Sequence, residues 1–299
     1  GSTGYAGNII LDIGNVEITD GGMINSSSLG FGPGGDISVS ASEGIWISDS
    51  DAENPYPGIY SLTSSSGDAG NIWIKALFME MAGAGACIMA STLGSGSGGA
   101  IQIISDRIQI NEGANITADS KGLGNAGNIL LSAEDTLDCG NSSVTTEADS
   151  ADGGNIMIHA RRMVDLKNSR ITATVKGGAG DGGNIEIDPL FVILDRSEII
   201  ANAEEGKGGN IQIVSCVFLS STDSIVSASS RLGIDGTVEI NTLVTDVARH
   251  LVFSPGSFQD IGAFLPKQCV RRGDDEANHF EIRGLIGIPP SPDHLLRSP

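Results

Sequence analysis

Along this chain a short aliphatic alternation returns at an almost constant interval, each time just after a glycine. The anchors are Asn8, Asp36, Asn71, Ala100, Asn128, Asn155, Asn184, Asn210 and Thr237, each preceded by Gly, with steps of 28, 35, 29, 28, 27, 29, 26 and 27 residues. After each anchor comes an aliphatic residue, a variable one, then another aliphatic, from Ile9/Leu11 to Val238/Ile240. Period-two alternation is the mark of a strand with one face buried. A repeat of this length means stacked supersecondary units.

Each repeat carries two further apolar clusters. The second follows eight to ten residues after the anchor, as in Val16/Ile18, Ile45/Ile47, Ile108/Ile110, Val164/Leu166 and Val217/Leu219. The third includes Ile24, Ile88, Ile116, Val144, Ile171, Ile199 and Ile225. Two residues beyond it sits something small: Ala90, Ala118, Thr146, Ala173, Ala201 or Ser227. Three short strands separated by Gly, Ser, Asn and Asp predict one coil of an all-β parallel β-helix. Adjacent coils would lie ~4.8 Å apart, so that like positions stack into columns and the isoleucines form a continuous core. One coil cannot bury its own apolar face, and the fold needs several. About nine coils of ~28 residues are expected over residues 1–245, single-stranded and right-handed by the bias of parallel crossovers.

The Gly-Asn pair has an expected cause. Gly adopts positive φ without steric cost and Asn tolerates it, and six of the nine anchors are Asn. Stacked amides there would form an internal asparagine ladder. A leucine-rich repeat is the rival architecture, but no Leu-x-x-Leu-x-Leu frame recurs.

Composition narrows the classes. The 299 residues include 42 Gly, 4% aromatic and 18% charged residues, which fits a turn-rich all-β chain. The net charge of −20 argues against nucleic acid, since a phosphate-binding surface needs clustered Lys and Arg. Arg161-Arg162 and Arg271-Arg272 are the only basic pairs and are too small for that role. Cys87, Cys139, Cys216 and Cys269 show no metal-ligand spacing. The first three read as small buried hydrophobes, with a Cys216–Cys269 bridge as the alternative. No apolar run is long enough to span a bilayer as a helix. The chain opens inside a repeat and reads as a fragment of something longer.

Two segments break the pattern. The 35-residue step holds an insertion, Asp49 to Gly58, with two prolines and three acids that cannot continue a ladder. This loop should project, making Asp51, Glu53, Asn54 and Tyr56 a candidate contact site or else a tolerated surface insertion. From Asp246 the composition shifts, with Phe253, Phe258, Phe264 and Phe280 and a Pro-rich end, so 246–299 is expected to be a C-terminal cap and tail.

Candidate chemistry lies on the outward columns. Ser132, His159 and Asp188 fall in register on three successive coils, within reach of a Ser–His–Asp relay. The same column elsewhere holds Asp12, Ser40, Lys75, Ile104, Val214 and Asn241, a mixed solvated face, and a flat ladder should provide neither pocket nor oxyanion hole. Asp138 and Asp165 also stack, with Leu194 next in their column and no Lys or Arg recurring beside them. Gly177-Gly178-Ala179-Gly180-Asp181 touches on a calcium-binding nonapeptide but occurs once and out of frame. No catalytic residue, cofactor or metal is therefore assigned. Between the inward aliphatics, Ile10, Trp73, Leu130 and Met157 place apolar groups on an outer wall. Trp73, Leu130 and Met157 are a candidate apolar contact face, the alternative being scattered surface apolars.

The repeat, as in Gly153-Gly154-Asn155-Ile156 and Gly208-Gly209-Asn210-Ile211, resembles that of large exoproteins of filamentous-haemagglutinin type. Phe264-Leu265-Pro266 to Cys269, Phe280-Glu281-Ile282-Arg283-Gly284 and Pro289-Pro290-Ser291-Pro292-Asp293 look like the C-terminal end of such proteins. These are exported by two-partner secretion in Gram-negative bacteria. The resemblance implies a secreted or cell-surface adhesin associated with the outer membrane, exported in full length by an outer-membrane transporter. Its partner would be a host, neighbouring-cell or extracellular-matrix surface, with glycans among the candidates. A structural spacer and, less favoured, a carbohydrate-active β-helix enzyme are the other readings.

Overall fold

The computed structural model describes residues 3–49 and 56–242, and there every regular element is a strand. All strand pairs are parallel, in one 14-stranded and one 8-stranded sheet. Nine strands beginning at Ile9, Ile37, Ile72, Ile101, Ile129, Ile156, Ile185, Ile211 and Val238 follow the nine anchors and stack in sequence order. Eight third strands, Met23–Asn25 through Ile225–Ser227, form the second sheet. The chain is thus a parallel β-solenoid of eight complete turns, with the first strand of a ninth at Val238–Thr242. The expectations for the tail, including Cys269 and the cap, lie outside the described residues.

The first and second strands of a turn share the larger sheet. In three turns they run on as one long strand, Ile72–Ala82, Ile101–Asn111 and Ile129–Gly140. The alternation changes phase at the corner, where Leu77 and Phe78 are both exposed between buried Ala76 and Met79. Inward columns are monotonous: Ile37, Ile72, Ile101, Ile129, Ile156, Ile185 and Ile211 stack in register, all at most 1% exposed. Burying one such side chain is worth about 2 kcal/mol.

The last full turn departs from the expected register. Val192 faces Phe218, so Phe218 points inward and Val217 and Leu219 flank it, although the latter pair carry the apolar spacing. Likewise Ile199 faces Val226, while Ile225 is 49% exposed and Ala228, not Ser227, fills the small-residue column. Val226 stands one residue further from its anchor Asn210 than Ile199 does from Asn184, whereas Phe218 keeps the spacing of Val192. At Phe218 the period outranks local hydrophobicity, because a one-residue slip would turn a whole strand inside out.

The anchor glycines serve a different purpose from the one expected. Positive φ is found at Gly21, Gly83, Gly113 and Gly178, none of them an anchor. Instead, a methyl group on Gly183 would overlap the carbonyl oxygen of Gly154 in the preceding turn, and the same clash recurs at every anchor from Gly35 to Gly236. Most of these glycines also close their own turn: Gly183 N–H donates to Ala173 C=O (2.8 Å) and Gly127 N–H to Ala118 C=O (2.7 Å). Positive φ belongs to the corner after the second strand, at Gly83, Glu112, Asn141, Asn168 and Arg196.

The amide ladder exists but lies on the solvent side. Asn128 Oδ1 accepts from the Asn155 main-chain N–H (2.8 Å) and side-chain amide (3.3 Å), and Asn155 to Asn184 and Asn184 to Asn210 repeat this. Ala100 interrupts it, having no acceptor to offer Asn128. The internal ladder is made of serine. The Ser142, Ser169 and Ser197 N–H groups donate in turn to Ser169, Ser197 and Ser224 Oγ at 3.1–3.2 Å, with the first three serines buried.

Gly183→Ala should cost about 3 kcal/mol, because overpacking between two backbones has no flexible atom to absorb it. Gly14→Ala, with nothing within 4 Å of the added carbon, should be neutral or slightly stabilising. Chemical denaturation of the two variants checks this, and equal losses would refute the clash.

Candidate functional site

The insertion is tied to the coil at both ends. Asp49 Oδ2 accepts from Gly85 N–H (2.9 Å), and Pro57 C=O accepts from Cys87 N–H (3.0 Å). Gly58 is the first residue of the third strand Gly58–Tyr60 and not part of the loop. Tyr60, though outward, is buried, and its hydroxyl donates to Tyr56 C=O (3.1 Å), burial pushing its pKa up. The Tyr56 side chain is 65% exposed. Asp51, Glu53 and Asn54 lie outside the described residues.

The proposed apolar wall is discontinuous. The column reads Ile10, Ser38, Trp73, Gln102, Leu130, Met157, Glu186, Gln212, Glu239. Leu130 and Met157 are direct neighbours and half-buried, while Gln102 separates them from Trp73. Sequence reasoning missed more prominent apolar groups. Leu29, Leu93 and Leu123, on the Gly/Ser-rich loops after the third strands, are 90, 68 and 76% exposed. They fall outside the three-strand frame, and that misfit was the signal available.

The Ser132–His159–Asp188 column is half assembled. Ser132 and His159 are paired in register, and His159 Nδ1 lies 2.6 Å from Asp188 Oδ1. No hydrogen bond joins the imidazole to Ser132 among the described residues. The flat face expected there is grooved. Where the first strand meets the second, one groove of about 540 Å3 is lined by Lys75, Leu77, Ile104, Asp106 and Glu134 among others. A second, of about 500 Å3, is lined by Arg161, Asp188, Pro189, Leu190, Val214, Ser215 and Asn241 among others. Pro189 accounts for the local break. It has no N–H to give, and its first strand stops at Ile187, while the turns on either side run to Ala160 and Ser215.

The stacked carboxylates differ in state. Asp138 and Asp165 are in register as expected, but Ile193, not Leu194, follows them. A cation does accompany them: Lys167 Nζ lies 2.6 Å from Asp165 Oδ2. Asp165 Oδ1 is buried without a partner. Burial, and then the charge of Asp165, push the Asp138 pKa up, against a hydrogen bond from Thr136 that lowers it. On the neighbouring corner Asp135 is clasped by Arg162 (2.7 Å) and Arg107 (3.2 Å), whose hydrogen bonds hold its carboxyl below the usual range. Cys87, Cys139 and Cys216 are free thiols, the first two buried, and burial raises Cys139 to about 12. The alternative reading, a Cys216–Cys269 bridge, involves a cysteine outside the described residues. No group of three or more metal-ligating side chains occurs among the described residues.

No protein family, curated protein or solved structure matches this chain.

Because the folded-state pKa of Asp138 is raised, its protonated form is the one the fold favours. The stability it contributes is present below the ordinary carboxylate range and is lost as pH rises through its raised pKa. Asp138→Asn should therefore raise the melting temperature at pH 7, by an increment that shrinks as the pH is lowered towards 4. A pH-independent increment would contradict the assignment. The Ser132 column should be inert: nitrophenyl ester turnover should be the same for wild type and Ser132→Ala. Turnover abolished by that change would establish a working relay.

Proposed function

We propose that this chain is the display portion of a secreted or cell-surface adhesin, carrying loops and outer faces to a partner surface on a stiff solenoid. The observation that carries this reading is the contrast between columns. Inward columns stay apolar from turn to turn, whereas the outward column from Ile10 to Met157 changes its chemistry at nearly every turn. Large apolar side chains, Leu29, Leu93 and Leu123, also stand exposed on the loop tips, where a partner surface could cover them. Backbone donors and acceptors are engaged between coils, so recognition falls to side chains. Export of a full-length protein through an outer-membrane transporter suits such a fold, since each turn pairs only with its neighbours and turns can add one at a time. No catalytic role is proposed, because the candidate relay is incomplete.

Beads coated with the purified chain should be retained on host-cell, bacterial-cell or matrix-coated layers at several times the level of albumin-coated beads. Substituting Tyr56, Leu93 and Leu123 together by Ser should lower that retention without lowering the melting temperature. Retention equal to albumin on all three layers would favour a spacer.

A further inference from the structure

The groove at the C-terminal end of the described solenoid crosses four successive turns, from Ala160-Arg161 through Asp188 and Ser215 to Asn241-Thr242. At ~4.8 Å per turn its residues are spread over about 14 Å along the stack. Leu190 and Val214, 47 and 42% exposed, give it an apolar bed. Around them stand polar atoms with capacity to spare. Asp188 uses only Oδ1, on His159, and Asn241 uses only its amide, on Glu239. Arg161 makes a single long contact with Glu134, at 3.5 Å. Ser215 is 4% exposed and its Oγ has no hydrogen-bond partner among the described residues.

The occupant can be argued by exclusion. Strands Ile211–Ser215 and Val238–Thr242 are paired in register along their length, so a peptide cannot insert between them as a strand. A net charge of −20 opposes polyanions, including nucleic acid and acidic polysaccharides. What remains is a ligand with apolar faces to lie on Leu190 and Val214 and with hydroxyls that both donate and accept. Its groups should also recur along its length, as the turns do. We propose that this groove binds a linear neutral oligosaccharide, with Asp188 and Asn241 meeting its hydroxyls. This rests on the adhesin reading and names the chemistry of one partner.

Calorimetric titration with neutral hexasaccharides of β-1,4-linked glucose, β-1,4-linked N-acetylglucosamine and α-1,4-linked glucose tests it. At least one should bind, and Asp188→Ala and Leu190→Ala should each weaken it about tenfold, the scale of one lost contact of this kind. Lys176→Ala, which removes an ion pair with Glu147 outside the groove, should leave binding unchanged. Melting temperatures of the variants distinguish lost contacts from lost fold. If none of the sugars binds at millimolar concentration, or if binding survives both groove substitutions, the proposal fails. Bead retention persisting in that case leaves the adhesin reading intact, and loss of both removes both.

Discussion

The structure depends on how closely one backbone turn sits upon the next. Parallel pairing brings equivalent residues together at the inter-strand spacing all round the coil, and at the anchor corner the approach leaves no room for a side chain. Glycine there is a condition of stacking. The glycine N–H, turned back to the carbonyl of the small residue after the third strand, also closes the loop that returns the chain to its next turn. Small residues at Ala90, Ala118, Ala173 and Ala201, all fully buried, are the other side of that closure.

Once the backbones are fixed at this spacing, other features follow. Identical side chains meet their own kind, which suits isoleucine inside, where a column of one shape packs without gaps. It suits amides and hydroxyls at corners, where each can accept from the main chain of the next turn. It does not suit charge. The charge of stacked Asp165 raises the cost of ionising Asp138, whereas Arg107, Asp135 and Arg162 alternate in sign from turn to turn and pair. An outward position can therefore change its residue at little cost to the fold provided it avoids like charge next door, which leaves the outer surface available for recognition.

The groove beside Pro189 arises from a departure from regularity. Pro189 removes a main-chain donor, its strand ends early, and the wall opens beside Leu190 and Val214. Beside it Ser215 Oγ is buried without a partner among the described residues.

Period, strand count, inward columns and the pairing of Ser132 with His159 and of Leu130 with Met157 were all legible in the residues, because stacking at constant spacing makes spatial neighbours of positions one repeat apart. Where local hydrophobicity conflicted with the period, at Val217/Leu219, the period was right, since inward direction is dictated by the coil below. The sequence could not show that the asparagines face solvent while serines line the inside, because both occupy corners of equal polarity. Nor could it show that the anchor glycines answer to the adjacent turn and not to their own φ. The Ser215 groove and the orphaned Asp165 oxygen were likewise invisible. They depend on the shape of the corner between strands, which belongs to several turns at once and is encoded in no single repeat.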